Sequence, residues 1–210
     1  MTTQQPIEMA KPARRTQEER RAETRAKLID ATLKLLAERG VAKVTTEEVA
    51  KAAGLTRGSI QYHFASPNDL LKAAVIELPN RLGTKLDVAK LQALPLADRI
   101  DRVVDQMWNG YGSATYTAFV ELVVRGRLDP ELKFHVLDAV AQLEEERGNT
   151  WSEIFSDSQR KAQEVIVWRS SLVVMLRGLA LTKMLSKSGD TLEAEILQFK
   201  SMFKLFLVGR

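Results

Sequence analysis

Apolar residues in this chain recur at intervals of three and four, and no stretch alternates convincingly between apolar and polar. That period gives an α-helix one apolar face, whereas a half-buried strand needs a period of two. Six prolines and eleven glycines in 210 residues point the same way, because a β-sandwich uses many more turns. With 45% apolar and 28% charged residues the chain can close a proper core. The expected fold is all-α.

Punctuation divides the pattern into helices. Residues 1–18 carry two prolines and little apolar content, and read as a mobile basic arm. A helix is expected from Glu19 to Arg39, ended by Gly40. Thr45-Thr46-Glu47-Glu48 has the form of a capping box and opens a short helix that Gly54 stops. Thr56 caps a second short helix through Phe64, and Ser66-Pro67 starts a longer one in which Pro79 must produce a kink or an end. Beyond Gly83, helices are expected at about 96–111, 115–126, 131–154, 158–186 and 191–207. Asp129-Pro130 and Gly189-Asp190 are the clearest breaks, and Asp190 with Glu193 reads as another capping box.

The stretch from Val165 to Leu185 is apolar nearly all the way round, so it must be covered on every side. A membrane span is disfavoured, because Arg169, Arg177 and Lys183 interrupt it and no apolar run reaches about 18 residues. The alternatives are a central helix in a monomeric bundle or a helix shared between subunits. The last helix adds Leu197, Phe199, Met202, Phe203, Leu205 and Phe206. A homodimer through helices 158–186 and 191–207 is therefore expected.

The chain has no cysteine, which excludes disulfides, thiol nucleophiles and cysteine-based metal sites. His63 and His135 are its only histidines and lie far apart in sequence, so no metal and no cofactor are expected. The composition fits a reducing cytoplasm, and the polar start shows no secretory signal.

Charge is unevenly placed. Residues 1–75 hold 13 Lys and Arg against 9 Asp and Glu, while residues 76–210 hold 18 of each. The whole formal charge of +4 thus sits in the first third, which suits an anionic partner such as nucleic acid. Within that third, residues 46–64 form two short helices about a tight glycine turn, the layout of a helix-turn-helix. If Ile60 and Phe64 face the core, Gly58, Ser59, Gln61 and Tyr62 face outward without an acidic residue. Glycine lets a helix approach a duplex closely, and Ser and Gln can bond base edges or phosphates. Thr56 and the first-turn amides suit a phosphate.

Gly40 to Leu71, GVAKVTTEEVAKAAGLTRGSIQYHFASPNDLL, resembles the DNA-binding domain of the TetR family of bacterial transcriptional regulators. The resemblance rests on the Thr pair, Val49-Ala50, Ala53-Gly54-Leu55, Thr56-Arg57-Gly58, Ile60, Tyr62-His63-Phe64 and Leu70-Leu71. It implies DNA contacts from Thr46, Thr56, Arg57, Gly58, Ser59, Gln61, Tyr62 and His63. It also implies a helix-turn-helix domain at 19–65, a linking helix at 66–82 and a helical ligand-binding and dimerisation domain at 83–210. Family members usually carry tyrosine where this chain has Gln61 and lysine where it has Pro67, both common phosphate contacts. Losing a cationic contact lowers the salt dependence by about 0.9 in the log–log slope. Arg14, Arg15, Arg20, Arg21 and Arg25 are candidates to compensate, or are simply a solvated basic face. His63 reads as a phosphate donor rather than a metal ligand, and His135 as an ordinary core or surface residue.

The resemblance further implies a pocket in the middle helices whose occupancy alters DNA binding. Met107, Trp108, Tyr111, Tyr116, Phe119, Phe134, Trp168 and Met175 are the candidate lining, each also readable as plain core. Gly110 and Gly112 mark an irregular helix end where a ligand could enter. An apolar or weakly polar small molecule is expected. The reading is a cytoplasmic, dimeric, sequence-specific regulator of double-stranded DNA, a repressor released from an inverted repeat by a small effector. The rival is a DNA-bound protein that recruits another protein without a ligand. An enzyme is not expected, since no phosphate loop, nucleophile elbow or metal-ligand motif is present.

Overall fold

A computed structural model describes residues 16–82, 86–186 and 192–209, and every regular element among them is helical. Arg14, Arg15, Gly83, Gly189 and Asp190 lie outside the described residues. Helix α1 (Gln17–Arg39) starts two residues before the expected Glu19. Thr16 is the reason: its hydroxyl accepts from the Glu19 amide while the Glu19 carboxylate accepts from the Thr16 amide. Its buried face includes Leu28, Ile29, Leu33 and Leu36, and Gly40 ends it at φ 74°, where a Cβ would be strained.

After a 3-10 turn at Val41–Lys43, α2 (Thr46–Ala52) and α3 (Arg57–His63) form the expected pair. Thr45 and Glu48 make their capping box, Gly54 turns at φ 68°, and the Thr56 hydroxyl accepts from the Ser59 amide. Helix α4 (Pro67–Leu82) is opened by Ser66, whose hydroxyl accepts from the Asp69 amide at 3.1 Å. Pro79 sits inside it, and the helix carries on to Leu82 with one hydrogen bond fewer.

The remaining helices are α5 (Val88–Gln92), α6 (Leu96–Tyr111), α7 (Ala114–Gly126), α8 (Pro130–Ile154), α9 (Ala162–Leu185) and α10 (Glu193–Lys204), with a final wide turn at Leu205–Gly209. The five-residue α5, capped by Asp87, has no counterpart in the sequence reading. Asp129 caps α8 and Pro130 takes its first position, as the break there predicts. Helix α9 starts four residues after the expected 158. Leu192 occupies the N-cap of α10 without a side-chain bond, and the expected capping box rests on Asp190, outside the described residues.

Helix α1 lies along α7, and α4 lies along α8, so the N-terminal head and the C-terminal body share one continuous core. Glu121 on α7 reaches across this junction and accepts from the Val41 amide at 2.8 Å. At the other end of the body, Trp151, Phe155, Phe199, Phe203, Phe206 and Trp168 stack and tilt together, with neighbouring ring centroids 4.7–6.3 Å apart. Burying one such ring removes about 150–250 Å² from water, worth about 4–6 kcal/mol before ordering costs. Buried Arg99 ties the nearby loops down by donating to the carbonyls of Gln92, Leu94 and Ile154 and pairing with Asp157. Those bonds hold the Asp157 carboxyl below its usual range.

Helix α9 is long and apolar enough, by length and composition, to cross a membrane. In this fold it is instead a half-covered bundle helix. Val165, Arg169, Leu172, Leu176 and Ala180 are buried on one side, while Val167, Val174, Leu181 and Leu185 are exposed on the other.

Candidate nucleic-acid interface and ligand pocket

The head presents α3 as its outward helix. Ile60 and Phe64 are buried, and Thr56, Arg57, Gly58, Gln61 and Tyr62 are exposed, with Tyr62 68% accessible. Ser59 and His63 are half-buried, and Thr46 is half-buried at the first turn of α2. Seven of the eight candidate DNA-contacting residues therefore lie on α3 or its cap, with Thr46 on the neighbouring helix. A Cβ built on Gly58 would meet only Thr56 Oγ1, at 3.8 Å, so nothing within the protein demands glycine there.

Helix α1 runs its basic N-terminal half past the end of α3. The Arg21 guanidinium lies 5.6 Å from the Tyr62 ring centroid and Arg25 lies 5.3 Å from that of Phe64. Gln17, Arg20, Arg21 and Thr24 face Tyr62 and His63 across a shallow groove. Burial, and then the charges of Arg21 and Arg25, lower the pKa of His63. A nearby phosphate would act in the opposite direction and favour the charged imidazole.

The body holds a second site. A cavity with about 650 Å³ of unfilled space, its open mouth included, lies among α4, α6, α7, α8 and α9. Of the candidate lining, Met107, Tyr111, Tyr116 and Phe119 border it. The other four do not. Trp108 is half-buried outside it beneath the Lys183 ammonium, and Phe134 is 67% exposed on the outer face of α8. Trp168 belongs to the aromatic stack against α10, and Met175 packs on the core elsewhere. Gly110 borders the cavity, whereas Gly112 caps α6 and its carbonyl accepts from Lys183 at 2.7 Å.

The lining residues that the sequence reading overlooked include four charged ones. Glu144, Arg147, Arg169 and Arg177 border the cavity, beside Leu82, Leu86, Val140, Leu143 and Trp151. Arg147 donates to the Leu82 carbonyl at 2.5 Å and to the Tyr111 hydroxyl at 3.3 Å. Arg177 donates to Glu144 at 3.1 Å, and Arg169 Nη2 lies 2.8 Å from the other Glu144 oxygen. That second contact lacks hydrogen-bond alignment, so Arg169 Nη2 and Arg177 Nε are both buried without an acceptor. Each such donor costs about 1–3 kcal/mol. Burial pushes the Tyr116 hydroxyl up to about 12, which keeps it a neutral donor. A signal for the set was present: residues 140, 143, 144, 147 and 151 fall on one helical face, so two charges sit in an apolar stripe.

The sequence profile of "Bacterial regulatory proteins, tetR family" matches residues 28–74, which span α1 to α4. Along most of its length the chain is 30% identical to the HTH-type transcriptional regulator CymR of Pseudomonas putida, over 184 residues covering 87% of this chain and 90% of the relative. The chain belongs to the TetR family. Similarity to another regulator, AcrR of Shigella flexneri, is 45% but confined to 58 residues, 28% of this chain and 26% of that one. A TetR-family regulator from Mesorhizobium loti shares the fold at a TM-score of 0.73 and 15% identity, covering 90% of this chain and 97% of that one. A transcriptional regulator from Saccharomonospora viridis, solved with choline, has a TM-score of 0.62 at 19% identity, with 90% and 97% covered. As a TetR-family member the chain is a DNA-binding transcriptional regulator, as CymR and AcrR are by name transcriptional regulators.

Proposed function

We propose that the protein is a cytoplasmic, homodimeric repressor that leaves an inverted-repeat operator when a small molecule fills the body cavity. The observation that carries this reading is the bond from Arg147, a cavity residue, to the Leu82 carbonyl at the end of α4. Helix α4 begins directly beside α3, so a ligand that moves Arg147 acts on the element that places the recognition helix. A parallel route runs along α7, where Tyr116 and Phe119 border the cavity and Glu121 holds the head through the Val41 amide. A ligand shifts such an equilibrium only by its preference for one state, and these two links are where that preference would be felt.

The residues assigned to DNA are Thr46, Thr56, Arg57, Gly58, Ser59, Gln61, Tyr62 and His63, with Arg20, Arg21 and Arg25 on the adjoining helix. The assigned units are a DNA-binding domain at 19–65, a linking helix at 66–82 and a ligand and dimer domain at 83–210. The dimer face uses two exposed stripes. Val167, Val174, Leu181 and Leu185 line α9, and Leu197, Met202, Leu205 and Val208 line α10 and the turn after it. Large exposed apolar side chains grouped on a helix face mark an interaction surface. Two heads related by a two-fold axis would then meet half-sites about 34–36 Å apart.

A reporter fused to the DNA upstream of the protein's own gene tests the regulatory sign. Expression should fall when the protein is supplied and recover with an effector. Increased expression would make it an activator. DNA binding that no small molecule releases, together with capture of a protein on the α9 face, would favour the recruiting role.

A further inference from the structure

The cavity is apolar in shape but not in charge. Three arginines, at 147, 169 and 177, meet one carboxylate, Glu144, leaving a formal surplus of two positive charges on its wall. Arg169 is only 6% accessible, and neither it nor Arg177 is fully satisfied by Glu144. A buried cation without a complete set of acceptors is unfavourable unless a ligand supplies them. The side chains of Leu82, Leu86, Met107, Phe119, Val140 and Leu143, which complete much of the lining, are apolar.

Resting on the effector reading above, we propose that the cavity takes an organic carboxylate with an apolar body, its two oxygens facing Arg169 and Arg177. A carboxylate matches guanidinium groups in geometry and supplies the missing acceptors. Glu144 is the internal stand-in for that anion, holding one arginine with each oxygen until the ligand displaces it. An apolar, uncharged effector would leave both arginines as they are, and a cation such as choline would face the surplus charge directly.

The test uses the full chain and a small panel: benzoate, phenylacetate, 3-phenylpropanoate, hexanoate and octanoate, each beside its own primary amide, with choline as the cation. Thermal shift and calorimetry should show at least one acid stabilising saturably and binding at least tenfold more tightly than its amide. Arg177→Gln should erase that acid-over-amide preference. Glu144→Gln should do the reverse, tightening acid binding severalfold without changing the amide, a gain that a damaged fold cannot mimic. The proposal is overturned if amides or choline bind as tightly as the acids, if nothing in the panel binds, or if Glu144→Gln weakens the acids. Release of bound DNA, followed in parallel, separates the two levels. Release by an amide or by choline removes the carboxylate assignment and keeps the effector reading, whereas an acid that binds with the expected preference yet releases no DNA keeps the carboxylate assignment and removes the effector reading.

Discussion

Helix α3 in the head and helix α8 in the body divide their labour differently. On α3, Ile60 and the following Phe64 hold the fold, while Arg57, Gly58, Gln61 and Tyr62 are turned to solvent, Tyr62 touching only the Arg21 guanidinium and the edge of His63. On α8, Leu143 and Trp151 of the core share one face with Glu144 and Arg147 of the cavity. Arg57, Gly58 and Gln61, proposed to meet DNA, can therefore change with little consequence for stability, unlike the Thr56 cap, whereas the proposed ligand contacts of the body share their face with the core. Even its buried arginines differ. Arg99 donates to three carbonyls and a carboxylate, whereas Arg169 meets only the Glu144 carboxylate, and each of the two keeps one buried N–H without an aligned acceptor.

That contrast makes graded predictions. Arg99→Met should produce the largest loss, about 3–5 kcal/mol in urea unfolding, because buried acceptors lose their donor. A loss below about 1 kcal/mol would mean that Arg99 is as loosely held as Arg169. Val174→Glu should weaken dimerisation by about 3 kcal/mol, seen as monomer in sedimentation, since each protomer would bring a charge to an apolar face. Tyr62→Ala should lower DNA affinity about tenfold to a hundredfold, about 1.4–2.7 kcal/mol, with an unchanged melting temperature. A drop in melting temperature there would break the proposed separation of binding from folding in the head. Glu121→Gln should cost about 1 kcal/mol by weakening the charged acceptor for the Val41 amide.

The smallest effect concerns His63, whose folded pKa lies below its ordinary value. A histidine that resists protonation when folded contributes stability above its unfolded pKa, about 6.5, and loses it as pH falls through and below that value. Comparing wild type with His63→Gln from pH 8 to pH 5 should show a small extra loss in the wild type below about pH 6.5. An extra gain there would reverse the sign of the assignment.

Local grammar explains what was readable in the sequence. Thr45 with Glu48, Thr56, and Asp129-Pro130 each fix a helix start through a bond within three residues, so those boundaries match. Thr16 with Glu19 has the same grammar and was passed over because it lies in a proline-bearing polar stretch. Helix α5 is too short to show a period. The cavity was half legible: Met107, Tyr111, Tyr116 and Phe119 border it, yet Phe134 and Trp168 are equally large and face elsewhere. Size and apolarity do not say which way a helix is turned. The informative residues were the charged ones within apolar stripes, Arg147 and Glu144 on α8 and Arg169 on α9, because a charge in such a place needs a partner.

The most direct test of the account is fluorescence anisotropy with wild type and Tyr62→Ala in parallel, on DNA from upstream of the protein's own gene and on scrambled duplex. At physiological salt, wild type should bind the native fragment at least about a thousandfold more tightly than the scrambled one, and Tyr62→Ala should lose much of that ratio while remaining folded. Equal affinity of wild type for both duplexes, or a Tyr62→Ala ratio matching wild type, would contradict the assignment of α3 as the surface that reads DNA.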